Sequence, residues 1–357
     1  MPEIAETAIF AESIRDILQD NYLTSITVLG GKYKVYEILD SDGVWIDKLI
    51  NPKTKRKNNI DPKKHPGGRY TVKLTGLTEI RGQLPLKIEN INTKGKCCYV
   101  KLEKEWYITF AFGMSGSIKY DPTKEILDRY AQRKGKRIDA SIYCKHFHVK
   151  FTNAADQSFY FDDPRRFGRI EIIRGKTNIE NKLQKLGADL LQTDWTSEEF
   201  RKMFQLLHSS TNICKAMMNQ HLVAGIGNYM VNEILYRCRI NPWAQICDLD
   251  DQTVDHLFFT MKSIAKQAYD LGGTSLQTYV DSQGRVGKYQ NLFKVYKKPC
   301  DPFNNKVVII PAREAPDRRT KHYVPQIQFI GEHNDPDRDL DITYVDTESD
   351  YTIDIDF

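Results

Sequence analysis

At about residue 178 the hydrophobic period of this chain changes, and that change limits the folds open to it. Upstream, runs such as VKLEKEWYITFAFGMSGSIKY (100–120) and HFHVKFTN…SFYFDD (146–163) alternate with turn signals, the pattern of antiparallel strands. One helix precedes them, because AETAIFAESIRDILQDNY sets Ile9, Phe10, Ile14 and Ile17–Leu18 at near-helical spacing. Downstream, SEEFRKMFQLLHSS, ICKAMMNQ, YMVNEILYRCRI and TVDHLFFTMKSIAKQAYDLGG follow a helical period, the last closing on Gly272-Gly273 as a C-cap. Strand character returns after Leu292 in FKVYKKP and KVVIIPA, which reads as a hairpin. Segregated strands and helices predict an α+β chain in four parts. These are a β-rich domain over 2–177, a helical domain over 178–291, a β appendage over 292–328 and an acidic tail over 329–357.

Charge is spread unevenly along those parts. The chain carries a net charge of +5, yet from Phe329 to Phe357 ten acidic residues face one Arg, a net of −9. The remainder therefore carries +5 + 9 = +14, a balance that suits a polyanionic partner or a solvated basic surface. The tail is poor in core formers and is expected to be disordered. The basic, patternless stretch 51–69 reads as an exposed loop that could also touch phosphates. No run of eighteen apolar residues is present, and Glu3 and Glu6 stand where a signal peptide needs a basic flank, so neither a membrane span nor a leader is expected. Seven cysteines without a CxxC pair read as reduced thiols of a soluble intracellular protein.

The most informative stretch is ICKAMMNQHLVAGIGNYMVNEILYRCRINP (213–242), two helices about the turn Gly225-Ile226-Gly227-Asn228. Val231, Ile234, Leu235 and Cys238 share one apolar face, and Asn228 stands at an N-cap position. Glycines before a free helix N-terminus let a phosphate approach backbone N–H groups. An ordinary helical hairpin with a capped turn fits the same spacing. At the other end, Pro2-Glu3 says little alone, since many unrelated chains begin Met-Pro-Glu.

These blocks together resemble the formamidopyrimidine-DNA glycosylase/endonuclease VIII family, whose helix–two-turn–helix reads G-[IV]-G-N before a helix with E-[IS]-L. GMSGS (113–117), DPRRFGR (163–169), LGADLL (186–191), GGTSL (272–276) and the run to VYKKPC (295–300) match it in the same order. The resemblance covers residues 2 to about 328 apart from an expansion around 30–90. It implies an N-terminal antiparallel β-sandwich with flanking helices, a helical helix–two-turn–helix domain and a β-hairpin finger.

The resemblance also implies a chemistry, a bifunctional glycosylase and abasic-site lyase. Pro2 becomes the nucleophile once the initiator Met is removed, because a terminal secondary amine is less basic than a lysine and more of it is neutral near pH 7. Glu3 then passes a proton to the sugar ring oxygen, and Glu6 matches a second acidic position of the start motif. Lys96, in KGKCCY, aligns with a lysine at the phosphate beside the lesion, with Lys94 as the alternative register. Met114, Arg165 and Phe167 align with the residues that fill the gap left by an extruded nucleotide. His146 and Asn228 align with phosphate-binding positions, Gly225 and Gly227 with the turn that meets DNA, and Arg319 with the finger arginine that reaches the lesion. Arg318 lies one position away from that last alignment.

One departure concerns the metal. Most members close with two CxxC pairs that hold zinc, whereas here the first reads Pro299-Cys300-Asp301-Pro302-Phe303 and the second carries Val324 and Ile327 in place of sulfurs. One Cys cannot make a four-ligand site, so no zinc and no other cofactor is expected. The zincless finger and GIGNYMxxEILYR look most like the Nei-like branch, whose members favour oxidised pyrimidines, ring-opened formamidopyrimidines and hydantoins. Ile4-Ala5 departs from the Gly-Pro common in that branch, and the stretch between Leu276 and Val295 is as long as in 8-oxoguanine-directed members. A damage-binding protein that lost the chemistry and an RNA-associated module are the non-enzymatic alternatives. The partner implied is damaged DNA, duplex or else single-stranded or bubble, with a monomer as the default.

Overall fold

The computed structural model describes residues 2–30, 33, 36–39, 45–48, 74–192, 194–274 and 286–331, with backbone alone at 36–39, 45–48 and 133. The basic stretch 51–69, most of the expansion, residues 275–285 and the tail beyond Gly331 lie outside the described residues. Helix α1 (Ile4–Leu18) leads into β1 (Tyr22–Val28), a hairpin of β2 (Tyr36–Leu39) and β3 (Trp45–Lys48), then β4 (Leu74–Thr75) and α2 (Leu77–Arg81). Strands β5 (Leu86–Lys94), β6 (Cys97–Leu102), β7 (Trp106–Ala111) and β8 (Ser117–Tyr120) run up to α3 (Lys124–Lys134) and α4 (Ala140–Tyr143). The β-rich part ends with β9 (Phe147–Asn153), β10 (Ser158–Asp162) and β11 (Arg169–Arg174).

Nine of these strands form one sheet in the order β4-β11-β7-β6-β5-β1-β9-β10-β8, and β5 is where it turns over. Its first residues pair with β1 (Leu86 with Leu23), while the rest pair with β6 after a register shift between Ile88 and Asn90. A bulge of this kind bends a strand and raises its twist. The two arms then face each other as a sandwich. Phe110 of β7 meets Phe151 of β9 at 5.4 Å and Phe159 of β10 at 6.1 Å between ring centroids, all fully buried. Such offset and edge contacts add to burial in holding the layers in one register.

The helical part contains α5 (Lys176–Leu183), β12 (Ala188–Asp189), α6 (Ser197–Gln205), α7 (Ile213–Met218), β13 (Val223–Ala224), α8 (Asn228–Arg237) and α9 (Asp251–Asp270). Its core is the apolar face read from the sequence, with Val231, Ile234 and Leu235 packed among Met217, Leu257 and Met261. Helix α9 ends as expected, because Gly272 and Gly273 both take φ of 72° and return N–H bonds to Tyr269 and Ala268.

Helix α1 joins the two domains. Phe10, Ile14 and Leu18 belong to the sandwich core, whereas Ile4 and Ala5 belong to the helical core. The N-terminal end of the chain is thereby carried into the seam between them.

The finger departs from the sequence reading in one respect. Strand β14 (Val308–Ile310) pairs not with FKVYKKP but with β15 (Lys321–Tyr323). The reason is a buried carboxylate: Glu233 of α8 accepts N–H bonds from Lys294, Val295 and Tyr296 at 2.9, 3.0 and 2.8 Å. Those donors are unavailable to a ladder. Val295 is left facing a small apolar cluster with Tyr236, Val307 and Val324, against which Ile327 packs.

Candidate active site at the domain junction

Pro2 is buried in the seam, and Glu3 beside it is 1% exposed. The Glu3 carboxylate sits at the start of α8, accepting N–H bonds from Gly227 (2.8 Å), Tyr229 (3.1 Å) and Met230 (3.4 Å). The sequence reading differs here. Asn228 is the first residue of the helix rather than its cap, and the cap is an acid 224 residues away. The turn donors read as a phosphate cradle are held by that acid, as an anion at a helix N-terminus should be. Gly225 keeps the approach close, since its carbonyl accepts from Ile4 N at 3.1 Å and a Cβ there would lie 2.6 Å from Ile4 Cβ.

Glu6 organises the corner. Its carboxylate accepts from the Glu3 backbone N–H (2.8 Å), the Thr274 N–H (2.7 Å), the Thr274 hydroxyl (2.8 Å) and the Tyr229 hydroxyl (3.3 Å). Thr274 belongs to the GGTSL block, and through these bonds it closes the seam from the end of α9. Lys96 projects into the same corner and donates to the Ile226 carbonyl at 2.6 Å. Burial pushes the Glu3 carboxyl up to about 7, a rise that Lys96 opposes and Glu6 reinforces. Burial pushes the Lys96 ammonium down, Glu3 opposes this, and the positive charge of Arg319 adds to it. An acid able to hold or release a proton at neutral pH stands next to the buried Pro2.

The sequence reading missed Asp189 of the LGADLL block. This buried carboxylate accepts from Gly95 N–H at 2.6 Å and so holds the turn that presents Lys96. Strands β12 and β13 pair Asp189 with Ala224, tying the same turn to the glycine-rich one. The only sequence signal was the block's presence, because its partner lies 94 residues away.

Met114 and Phe167 form an exposed wedge, 42% and 49% accessible, and the Arg165 guanidinium lies 4.7 Å above the Phe167 ring. Their two loops behave as one unit through Asp163, a second acid missed by the sequence reading. Its carboxylate accepts from the Ser115 hydroxyl (2.9 Å), Gly168 N–H (2.7 Å) and the Tyr33 hydroxyl (2.9 Å), while Ser115 Oγ accepts from Arg165 N–H (3.1 Å). Asp163→Ala is expected to leave these buried donors unpaired and to cost about 1–3 kcal/mol of stability, read as a fall in melting temperature; an unchanged melting temperature would contradict this role.

His146 stands half-buried at the entry to β9, its imidazole pushed down by burial and by Lys145, and its carbonyl accepts from Asp163 N–H. Arg318 and Arg319 are exposed on the turn before β15, and with Lys215 and Asn219 they line an open cleft of about 370 Å³. Asn228 does not stand free: its Nδ2 donates to the Thr320 carbonyl (3.0 Å) and its Oδ1 accepts from Lys321 Nζ (2.9 Å).

A β-sandwich and a two-turn helical domain that close over Pro2 and Glu3 are the architecture of a base-excision glycosylase. The profile of the formamidopyrimidine-DNA glycosylase H2TH domain matches residues 186–280, and that of the formamidopyrimidine-DNA glycosylase N-terminal domain matches residues 71–170. A formamidopyrimidine-DNA glycosylase of Wolbachia pipientis subsp. Culex pipiens is 30% identical over 226 residues, 62% of this chain and 76% of that protein. One of Wolbachia sp. subsp. Brugia malayi is 27% identical over 313 residues, 87% of this chain and 94% of its own length. The fold also matches the MutM (Fpg) protein of Thermus thermophilus, with a TM-score of 0.65 at 20% identity over 93% of this chain and 100% of that one. A Lactococcus lactis Fpg variant crystallised with Fapy-dG-containing DNA matches with a TM-score of 0.66 at 20% identity, over 92% of this chain and 99% of that one. The chain belongs to the formamidopyrimidine-DNA glycosylase family of base-excision repair. Among the described residues no helix is long and apolar enough to cross a membrane.

Proposed function

We propose that the protein removes oxidised bases from damaged DNA and then cleaves the strand, with Pro2 as the nucleophile. The observation that carries this is the buried Pro2–Glu3 corner, whose acid caps α8 and is raised by burial to about 7 beside Lys96. The Pro2 nitrogen, freed by loss of Met1, gives its lone pair to C1′. The glycosidic bond breaks with its electrons going to the base, which leaves with the proton given up by the Pro2 nitrogen. Glu3 protonates O4′ as the ring opens, leaving an iminium on Pro2. That cation acidifies the 2′ hydrogen, whose loss expels the 3′ phosphate, and a second elimination expels the 5′ phosphate. In this reading Lys96 holds the phosphate beside the lesion, and Arg319 reaches it from the finger. Met114, Arg165 and Phe167 occupy the gap in the duplex.

The substrates proposed are oxidised pyrimidines, ring-opened formamidopyrimidines and hydantoins, a reading supported by the finger's lack of the zinc cysteines, in which its sequence resembles the Nei-like branch. A preference for 8-oxoguanine is the second reading, and it rests on the length of the 276–295 stretch, part of which lies outside the described residues. A finger without zinc is supported by its donor set. Val324 and Ile327 pack in the apolar cluster with Val295, and Asp301 spends its carboxylate on the Tyr236 hydroxyl and the N–H groups of Phe303 and Asn305. That leaves Cys300 as the sole thiol at the metal position, too few for a tetrahedral site.

The test is single-turnover release of base from duplexes carrying 5-hydroxyuracil, a formamidopyrimidine, a hydantoin or 8-oxoguanine. Fastest release of the first three is expected, and fastest release of 8-oxoguanine would favour the second reading. Tight binding without release would leave a binding protein. Dialysis against a strong chelator is expected to leave the rates unchanged, and a loss restored by added zinc would overturn the zincless finger.

A further inference from the structure

The finger holds a feature that neither the chemistry above nor the loss of the cysteines requires. Lys321 is fully buried, at 0% exposure, on the first position of β15. Its ammonium is shared between Asp317 Oδ2 at 2.7 Å and Asn228 Oδ1 at 2.9 Å. A buried charge of this kind is costly unless every contact is made, so it fixes geometry more than it adds stability. Asp317 also accepts from Arg319 N–H at 3.2 Å, through its other oxygen. One carboxylate therefore grips both the buried lysine and the backbone of Arg319. On the far side, Asn228 returns a bond to the Thr320 carbonyl, and Asn232 of the same helix accepts from His322 N–H at 2.5 Å.

We propose that Lys321 is a positioning residue that locks the Arg318–Arg319 turn onto the first residue of α8, doing for this finger what a bound metal does by crosslinking two loops. The inference rests on the glycosylase reading of the site, because it concerns how Arg319 is aimed. Since Lys321 touches no substrate, its whole effect passes through the turn. With Lys321 in place, Asn228 and Asp317 are bridged and Arg319 starts from a fixed backbone. Without it, the turn keeps its hairpin but loses its bearing on the helix that also seats Glu3.

The test is a double-mutant cycle on excision of 5-hydroxyuracil from duplex, using Lys321→Met, Arg319→Ala and the double variant, all far below the melting temperature. Lys321→Met is expected to slow the single-turnover rate about tenfold or more, on the scale of a misplaced group. The double variant should be no slower than Arg319→Ala alone, because the aim of an absent arginine cannot matter. A merely structural lysine would lower the melting temperature and leave the rate intact, or would multiply with Arg319→Ala, and either result overturns the proposal. If Lys321→Met does not fold, Lys321→Gln keeps a donor for Asn228 while dropping the charge, and it carries the same cycle. An inactive wild-type protein would instead refute the glycosylase reading, so the two failures are distinct.

Discussion

Replacing Glu3 by Gln is expected to slow base excision by about 10²–10⁴-fold, the range of a positioned general acid. The carboxyl is raised from 4.5 to about 7, so near neutrality a large share of it carries the proton that O4′ must receive. The wild-type rate should accordingly fall as pH rises past about 7, as the acid empties. In Glu3→Gln that falling limb should vanish along with most of the rate. Cleavage at a preformed abasic site can proceed from the open-chain aldehyde with which the sugar's closed ring equilibrates, bypassing base departure and enzymic ring opening, and should suffer less. The same shift acts on stability. The folded-state value lies above the unfolded one, so the folded protein holds an extra proton between about pH 4.5 and 7 and loses stabilisation as pH rises through that window. Glu3→Gln should flatten that slope. A wild-type profile flat across pH 6 to 8, or a variant of near-normal excision rate, would remove Glu3 from the chemistry.

Gly227→Ala is expected to cost about 10² in excision rate and about 1–3 kcal/mol in stability. The backbone there is extended (φ −127°), so alanine meets no conformational penalty. The collision is with the acid itself: a Cβ would lie 2.2 Å from Glu3 Oε1 and 2.3 Å from its Cδ. Glu3 cannot swing aside without giving up bonds to three α8 N–H groups, because both oxygens are committed there. The added methyl must push Pro2 and Glu3 together off the turn. Gly82→Ala, where nothing lies within 4 Å of the new atom, serves as the matched control and should match wild type in melting temperature and rate. Normal excision by Gly227→Ala would mean that contact with α8 is not what sets Glu3 in place.

How far the sequence reveals this site depends on how far apart its parts lie. The change of period at about residue 178 and the apolar faces of α1 and α8 are local signals, and the structure has both. The wedge and the glycine turn were legible only as blocks in order, through resemblance. The ties that make them a site were not, because each joins distant segments: Glu3 to Gly227, Asp189 to Gly95 and Asp163 to Ser115. A lone acid in a sequence carries no mark of its partner. The finger shows the same limit in reverse, since FKVYKKP has a strand's composition and still makes no ladder. Glu233, a residue that reads as one more polar position on a helix, had already taken its donors.

The central claim is that the amine of Pro2 attacks the sugar. Borohydride trapping of the mature protein on a 5-hydroxyuracil or abasic oligonucleotide tests it most directly, run beside Pro2→Gly and a form that retains Met1. A covalent adduct that forms with the mature protein and disappears when Met1 blocks the nitrogen is the predicted result. An adduct of equal yield with Met1 in place would assign the nucleophile elsewhere, and no adduct despite tight binding to the lesion would contradict the lyase.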